Sequence, residues 1–452
     1  MAKKRLNGLV YLVKKLLESN DAKNLAVLVN DLQAVDLAEV LAELKPEDRL
    51  RVFALLKNEL AAEVLNELDP HLVAPILESL GAERVADIFE EMSSDDAADI
   101  IGRLSDAEKR KFLGMMEAED AADVEELLVY PEDTAGGIMT TEYVAIRKDI
   151  TVERAIEVLR ETAPDAETIY YVYVVNERGQ LVGVLSLRDL LVASPDTLIE
   201  EIMRTKVISV NVMADQEEVA RVISKYDLLA VPVVDDDQVL VGIVTVDDII
   251  DVLEEEATED IYKLAGSGEP EDLEATASFW RRAMLRLPWL IALLFGELLA
   301  GKVIDRFSAA LQVLTALAFF ITVMAGEAGN AATQSLAVVV RGLATGSLDK
   351  RKLWVVVYRE AKVGLAVGVI CGTLLSLVGY FWVGSLPFAL TLGSALCINI
   401  FVGVVLGSFF PVVIERLGFD PALASGPFIT TLTDIVSMAV YFGLAVFFLD
   451  IL

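Results

Sequence analysis

The densest group of ionisable side chains in the sequence is a run of acids in TVDDIIDVLEEEATED, residues 245–260. On a helix these acids stand three or four residues apart, where like charges destabilise the helix by about 0.2–0.5 kcal/mol per pair. A cation that screens them removes this penalty, and carboxylate oxygens are the ligands that Mg2+ takes. The run is therefore either a solvated acidic face or part of a divalent-cation site. Its members are Asp247, Asp248, Asp251, Glu254, Glu255, Glu256, Glu259 and Asp260.

A second group of polar residues lies inside long apolar runs nearer the C-terminus. Asp434 stands in SGPFITTLTDIVSMAVYF, and an ionisable residue at membrane depth is by default a functional candidate. The segment AGEAGNAATQS adds neutral oxygens and small residues that allow close helix approach. These residues either join helices or bind a cation. The candidate pore residues are Gly329, Asn330, Gln334, Gly426, Thr430, Thr431 and Asp434.

Composition separates the chain into two unlike parts that carry these groups. Residues 1–275 hold 26 Lys and Arg against 61 Asp and Glu, whereas residues 276–452 hold 12 against 9. Long apolar runs dominate the second part. We therefore expect an acidic soluble portion joined to a nearly neutral membrane portion.

The same composition disfavours several classes of function. A net charge of −32 disfavours DNA and RNA as partners, because phosphate binding needs a basic surface. Cys371 and Cys397 lie in apolar runs and form neither a zinc signature nor a disulfide framework, and His71 is the single histidine. Since no nucleophile, paired base or Walker-type loop is present, an enzyme is the least supported class.

Residues 21–130 carry a helical repeat. Large apolar residues recur every twelve positions, in phrases such as DLAEVLAEL and RVADIFEEM separated by turn signals such as KPED and SSDD. Helices this short cannot bury an apolar face alone, so we expect them to stack into an acidic superhelix. The repeated positions are Leu44, Leu56, Leu68, Leu80, Met92, Leu104 and Met116.

An internal duplication follows over residues 139–255. VYVVNERGQLVGVLSLRDLL from Val172 and VPVVDDDQVLVGIVTVDDII from Val231 align without a gap, each predicting a strand, a turn, a strand and a capped helix. The pattern resembles a pair of CBS domains, a family that often binds adenosine nucleotides such as ATP or AMP. The alternative is that the polar residues simply cap helices. The resemblance implies nucleotide contacts at Ser186, Arg188, Asp189, Thr245 and Asp248.

Five apolar segments of membrane length are predicted, at about 284–304, 309–340, 354–380, 387–414 and 424–449. Polar residues suggest that the second and the last are broken or unusually long. The N-terminal segment lacks the apolar core of a signal peptide, which favours a cytosolic N-terminus. With the N-terminus inside, the segments that flank the spans on the inner side carry ten basic residues, and those on the outer side carry two. This bias supports the orientation, and five spans then place the C-terminus outside. The ten are Arg281, Arg282, Arg286, Arg341, Lys350, Arg351, Lys352, Arg359, Lys362 and Arg416.

The order of these parts resembles the MgtE family of magnesium channels and transporters over essentially the whole chain. AGNAATQS, DPALASGPFITTLTD and TVDDIIDVLEEEATEDI carry the resemblance. It implies a homodimer in the cell membrane, a pore along the dimer axis and recognition of Mg2+ by Asp434. It also implies regulatory Mg2+ sites at Glu63, Asp95, Asp99, Glu217, Asp227, Asp248, Asp251, Glu256, Glu259 and Asp260.

The resemblance implies a three-part fold: an all-α superhelical N-domain, an α/β CBS pair and a five-helix transmembrane domain. The predicted boundaries are 1–130, 131–253, a linker helix at 254–275, and 276–452. Ala328 and Ala332 stand where the family usually has glycine, so an extra methyl group at each position is expected to narrow the pore or alter helix packing.

The resulting hypothesis is Mg2+ uptake that cytosolic Mg2+ shuts off by neutralising the acidic domains. One alternative is a divalent-cation transporter whose main regulator is a nucleotide bound to the CBS pair. A second alternative is a membrane-anchored scaffold that moves no ion, although a scaffold has no need for a carboxylate at the position of Asp434.

Overall fold

The computed structural model describes residues 2–163, 166–267, 279–348 and 352–449, apart from the side chains of residues 2–4, 119, 313 and 449. The chain divides into two compact units, Met1–Val252 and Leu253–Leu452. Residues 268–275 of the predicted linker, together with Lys350 and Arg351 of the predicted inner flanks, lie outside the described residues.

The first unit begins with short helices, as the twelve-residue repeat predicts. They are α1 (Ala2–Glu18), α2 (Ala22–Val29), α3 (Ala34–Ala42), α4 (Pro46–Phe53), α5 (Asn58–Asn66), α6 (Pro70–Ser79), α7 (Ala82–Phe89), α8 (Ser94–Gly102), α9 (Asp106–Leu113) and α10 (Ala118–Leu127). From α3 onward each helix starts twelve residues after the one before it. Leu44, Leu56 and Leu68 are buried between helices. Helix α3 packs on α5, and α5 packs on α7, so the predicted superhelical stacking is confirmed.

Two similar αβ motifs follow, and their register confirms the predicted duplication. Their elements are β1 (Tyr143–Arg147), α11 (Val152–Thr162), β2 (Thr168–Val175), β3 (Leu181–Ser186), α12 (Leu187–Val192), α13 (Ile199–Ile202), β4 (Val210–Asn211), α14 (Gln216–Tyr226), β5 (Ala230–Val234) and β6 (Leu240–Thr245). Each sheet has three strands, with a parallel pair followed by an antiparallel pair. Val172 lies opposite Leu185, and Val231 lies opposite Val244. Corresponding residues therefore occupy corresponding register positions.

One hydrophobic core joins the N-terminal helices to the second sheet. Val52 and Phe89 of the helices belong to the same buried cluster as Val231 and Val244 of the strands. The first sheet has a core of its own around Val172. The shared core fixes the helices against the second motif, because close-packed interiors resist displacement.

Helix α15 (Val246–Leu264) follows β6 without a break. The acids of residues 247–260 are therefore on one helix, as the sequence predicts. The helix begins at Val246, eight residues before the predicted linker boundary at 254, because Thr245 ends the strand directly before it and its side chain bonds to Asp248 in the first helical turn.

The described residues of the second unit include five helical segments long and apolar enough to cross a membrane, which agrees with the predicted number. The helices are α16 (Phe279–Arg306), α17 (Ser308–Val313), α18 (Ile321–Ala344), α19 (Leu353–Val383), α20 (Leu386–Arg416) and α21 (Gly426–Leu449). The second span is broken, as expected, with a 3-10 turn at Thr315–Phe320 before α18. The last span was expected to be broken or unusually long, and this expectation was wrong, since α21 is a continuous helix of 24 residues with Gly426-Pro427 at its start.

Ala328 and Ala332 are both buried where α18 packs on α20. Gly403 and Gly407 of α20 face them so closely that a Cβ at either glycine would overlap the alanine carbonyl oxygen. Close helix contact in membranes depends on small residues. Here the glycines that permit it belong to α20, which lets α18 carry two methyl groups.

Candidate cation-binding sites

The N-terminus of α8 is the focus of an acidic site in the first unit. Asp95 and Asp96 lie in its first turn, where the helix dipole favours negative charge. The backbone N–H of Ser94 donates a hydrogen bond of 2.9 Å to the Glu142 carboxylate. The hydroxyls of Ser94 and Thr141 are 3.0 Å apart. These contacts fix the segment before β1 against the helix.

Glu142 and Glu167 stand directly before two strands of the first sheet. Because β1 and β2 are parallel neighbours, their N-terminal ends meet at one edge. The backbone N–H of Glu167 donates to the carbonyl oxygen of Glu142 over 2.9 Å. The strand pairing thus places two acids beside α8, where Glu167 experiences repulsion from Asp95 and Asp96.

The first turn of α15 completes the site. The hydroxyl of Thr245 donates to the Asp248 carboxylate. Asp247 repels Asp95, Asp96 and Glu167, so regions distant in sequence bring their charges together. We call this group the carboxylate cluster, which consists of Asp95, Asp96, Asp99, Glu142, Glu167, Asp247 and Asp248.

Several acids of the carboxylate cluster have pKa values far above those of ordinary carboxyls. Burial, followed by repulsion from Asp95, raises the pKa of Asp96 to about 6. Burial, reinforced by neighbouring acids, raises the pKa of Glu142, Glu167 and Asp248 to about 7. Desolvation raises the pKa of Asp99 to about 6 even though Arg103 acts in the opposite direction. Such shifts mean that desolvation and neighbouring negative charge disfavour the charged form of these carboxyls.

The donor set of the carboxylate cluster suits a hard divalent cation. Mg2+ and Ca2+ take carboxylate and carbonyl oxygens, whereas softer metals prefer histidine and cysteine. Within the described residues, no three acidic, histidine or cysteine side chains are arranged as a ready-made metal site. The cluster therefore offers charge and oxygen donors rather than a closed coordination shell.

The structure brings together three of the predicted regulatory residues and separates others. Asp95, Asp99 and Asp248 belong to the carboxylate cluster, whereas Glu63 is exposed on α5. Asp251 is exposed one turn beyond Asp248.

Glu217 and Asp227 lie at opposite ends of α14. Ten residues of helix separate them by about 15 Å. Glu217 forms an ion pair with Arg221, with 3.2 Å between nitrogen and oxygen. Asp227 ends the helix in the left-handed conformation at φ 52°. One ion cannot be shared directly by these two side chains within this unit.

Sequence reasoning missed Asp96, Glu142 and Glu167 as members of the site and named Asp247 only as part of the acidic run. A signal for the two glutamates was present, since each directly precedes a β-branched and aromatic stretch, YVAIR or TIYYVYVV, and the structure forms these stretches into one parallel pair. Parallel strands align their N-terminal ends, so acids at both positions are expected to be neighbours. Asp96 adjoins Asp95 in the phrase SSDDAAD.

The end of α15 holds a second acidic site, within the second unit. The Lys263 ammonium pairs with Glu259 of its own helix and with Asp420, whose carboxylate is 2.8 Å away. Burial lowers the pKa of Lys263, but the two ion pairs outweigh it and the pKa is raised overall. Burial, with repulsion from Asp420, raises the pKa of Asp260. Of the predicted regulatory residues, Glu259 and Asp260 meet here, and Glu256 lies one turn earlier.

The predicted nucleotide residues engage in helix capping. Ser186 and Asp189 form a capping box at the start of α12, with hydrogen bonds of 2.7–3.1 Å. These bonds from Ser186 lower the pKa of Asp189. Arg188 is exposed beside them, and Thr245 bonds to Asp248 in the second motif. The capping alternative thus accounts for these contacts, and an exposed arginine remains for a phosphate.

The predicted pore residues lie on two helices of the second unit that pack together. Gly329 of α18 contacts Thr430 of α21, and the Thr430 hydroxyl donates to the Gly426 carbonyl oxygen over 3.1 Å. Asp434 is half-buried one turn after Thr430 and Thr431. The remaining two candidates, Asn330 and Gln334, are exposed one turn apart on α18.

The fold defines a multi-domain protein with an acidic helical domain, a pair of similar αβ motifs and, within the described residues, five helical segments long and apolar enough to cross a membrane. Family models match it in blocks: the divalent cation transporter MgtE at residues 321–444, the MgtE intracellular N domain at 32–133, and CBS domains at 135–196 and 199–255. The chain belongs to the MgtE family of magnesium transporters.

Relatives agree with this assignment. The chain is 45% identical over 337 residues to the magnesium transporter MgtE of Bacillus subtilis, covering 75% of this chain and 74% of that one. It is 44% identical over 332 residues to the transporter of Thermus thermophilus, with 73% of each covered. A crystal structure of the cytosolic domain of an MgtE Mg2+ channel in complex with ATP is 46% identical, with a TM-score of 0.52, and covers 54% of this chain and 99% of that one.

Proposed function

We propose that this chain mediates Mg2+ uptake through its spanning bundle and that cytosolic Mg2+ closes the pathway through the carboxylate cluster. The observation that carries the transport part is Asp434, a half-buried carboxyl on a membrane-length helix beside Thr430 and Thr431. A carboxylate at this depth is costly unless a cation or water accompanies it. The relatives from B. subtilis and T. thermophilus are named as magnesium transporters, which supports Mg2+ as the ion.

The transport proposal is tested by Mg2+ flux into liposomes. Asp434→Asn removes the charge but keeps the size, so we expect Mg2+ flux to fall at least tenfold. Asp305→Asn, near the end of α16 and exposed, is a matched control whose flux stays at the wild-type level. Wild-type flux in Asp434→Asn contradicts the proposal.

The regulatory proposal rests on the carboxylate cluster. The charges of its acids act on one another, and desolvation is the largest cause of the raised pKa values of Asp96, Asp99, Glu142, Glu167 and Asp248. Bound Mg2+ would supply the missing positive charge, with oxygens of Asp95, Asp96, Glu142, Glu167 and Asp248 as the nearest donors. Relief of repulsion favours the arrangement in which these acids are close, and a ligand shifts such an equilibrium only through its differential affinity.

The predicted oligomeric state, membrane topology and domain boundaries are also proposals. We propose a homodimer with its N-terminus and soluble domains in the cytosol, its C-terminus outside, and domain boundaries near 130, 253 and 275. The matched N domain is described as intracellular, which supports this orientation. Labelling of cysteines introduced near each terminus in sealed cells tests the topology, and mass measurement in nanodiscs tests the dimer.

A second candidate function is nucleotide sensing by the CBS pair. It is favoured by the ATP complex of a cytosolic domain 46% identical to this chain and by exposed Arg188 beside the capping box. Calorimetry of a fragment ending at Ser267, titrated separately with Mg2+ and with ATP, distinguishes the two regulators. Binding of ATP that Arg188→Ala abolishes supports the nucleotide. Binding of Mg2+ that Asp248→Asn weakens supports the cluster.

A further inference from the structure

Glu297, on the first spanning helix, is close to the proposed ion site. Its carboxyl is within hydrogen-bond reach of the Asp434 carboxyl on α21. Glu297 lies well inside α16, and Asp434 lies two turns from the start of α21. In chain order α16 is the first spanning helix and α21 is the last, so no local sequence pattern links the two acids.

A glycine explains how α16 comes near enough. A Cβ at Gly296 would overlap the side-chain methyl of Thr431, so the backbone of α16 rests directly against this threonine. Thr431 is three residues before Asp434 on α21, and residues at that spacing share a helix face. The absence of a side chain at 296 therefore allows the neighbouring Glu297 to reach Asp434.

The surroundings of this pair provide no basic partner. Among the residues that the structure describes, no Lys or Arg nitrogen lies within 4.0 Å of a carboxyl oxygen of Glu297 or Asp434. Ionisable groups within the membrane normally pair with one another or line an ion or water path. Two ionised carboxyls together carry the charge that one divalent cation neutralises.

We propose that Glu297 is a specificity-determining residue of the pore, the second carboxylate of the site at Asp434, and favours divalent over monovalent cations. This inference rests on the proposed transport function, because it takes Asp434 to bind the moving ion. Removing one of two charges weakens attraction for a doubly charged ion more than for a singly charged one, since Coulomb energy scales with ion charge.

The test compares Mg2+ and Na+ fluxes of the full-length chain in liposomes. In Glu297→Gln we expect the Mg2+ concentration for half-maximal flux to rise about tenfold and the ratio of Mg2+ to Na+ flux to fall several-fold. Glu297→Asp, which keeps the charge, shifts the half-maximal concentration less than about threefold. Asp305→Asn on the same helix, about 12 Å further along its axis, leaves both quantities unchanged.

A second variant tests the position of the carboxyl without removing it. Gly296→Ala forces α16 away from Thr431, so its half-maximal Mg2+ concentration should also rise. Half-maximal concentrations within twofold of wild type in both Glu297→Gln and Gly296→Ala overturn the assignment of Glu297, while Asp434→Asn can still lose flux. Retained flux in Asp434→Asn overturns the proposed function itself, whatever Glu297 does.

Discussion

The two ends of α15 carry similar acids in opposite electrostatic surroundings. At its start, Asp247 and Asp248 lie among the acids of the carboxylate cluster, and burial raises the pKa of Asp248 to about 7. At its end, Glu259 and Asp420 share the ammonium of Lys263. The comparison shows that carboxylates alone do not define a cation sensor, because what matters is whether the protein already neutralises them.

The difference leads to different requirements at the two sites. The carboxylate cluster depends on protons or on a cation from solution, because desolvation and the neighbouring acids disfavour the charged forms of its carboxyls. The site at Lys263 contains a resident cation, so a divalent ion there must compete with an ammonium. The carboxylate cluster should therefore respond more strongly to pH and to Mg2+ than the site at Lys263.

The largest expected effect is on stability when the charge of Asp248 is removed. Its folded pKa of about 7 is above its ordinary value of 3.8, so the folded form binds the proton more tightly and loses stability as pH rises through this range. Asp248→Asn should raise the free energy of unfolding on the order of 2 kcal/mol at pH 8 without Mg2+, and by progressively less as pH falls toward 4.

Chemical denaturation at several pH values measures this gain. Asp251→Asn, exposed one turn further along the same helix, should change the free energy by less than about 0.5 kcal/mol. An equal increase in the free energy of unfolding in the two variants, or an increase that does not depend on pH, would show that the charge of Asp248 is not unfavourable in the cluster.

Mg2+ should stabilise the wild-type chain in a pH-dependent way. Glu142, Glu167 and Asp248 have pKa values of about 7, so protons compete with a cation below that pH. At 100 times the dissociation constant a ligand adds about 2.7 kcal/mol. The rise in melting temperature on adding Mg2+ should be larger at pH 8 than at pH 6, whereas a rise that is the same at both points away from the cluster.

At the C-terminal end of α15 we expect a moderate effect, in which removing a charge strengthens the response to Mg2+. Lys263→Met leaves Glu259 and Asp420 without their ammonium, so they should bind Mg2+ more tightly. Internal Mg2+ should then inhibit flux at a concentration about threefold to tenfold lower. Lys23→Met, on the exposed surface of α2, is the control. Inhibition that needs more Mg2+ in Lys263→Met would assign the lysine a purely structural function.

The smallest expected effect concerns Thr245. Its hydroxyl donates to the Asp248 carboxylate, and such a bond contributes about 1 kcal/mol net. Thr245→Val should lower the free energy of unfolding by about that amount and raise the pKa of Asp248 further. NMR titration of the side-chain carboxyl measures the second effect, and a lowered pKa would contradict the assigned hydrogen bond.

Local patterns predicted the elements but not all the partners in the sites. The twelve-residue repeat predicted α3 to α10, the repeated VGVLS and VGIVT phrases predicted the two sheets, and apolar length predicted the five spans. Lys263 pairs with Asp420 across 157 residues, a contact that depends on tertiary packing. Likewise Glu297 reaches Asp434 only because Gly296 allows two distant helices to touch.

The most direct test of regulation through the carboxylate cluster is Mg2+ influx into liposomes at controlled internal Mg2+. Wild-type influx should fall as internal Mg2+ rises into the millimolar range. In a chain with Asp96→Asn and Asp248→Asn, influx should depend about tenfold less on internal Mg2+, because the variant lacks two of the charges that attract the cation and that the cation neutralises. Inhibition of this variant at the wild-type concentration would contradict the cluster as the sensor.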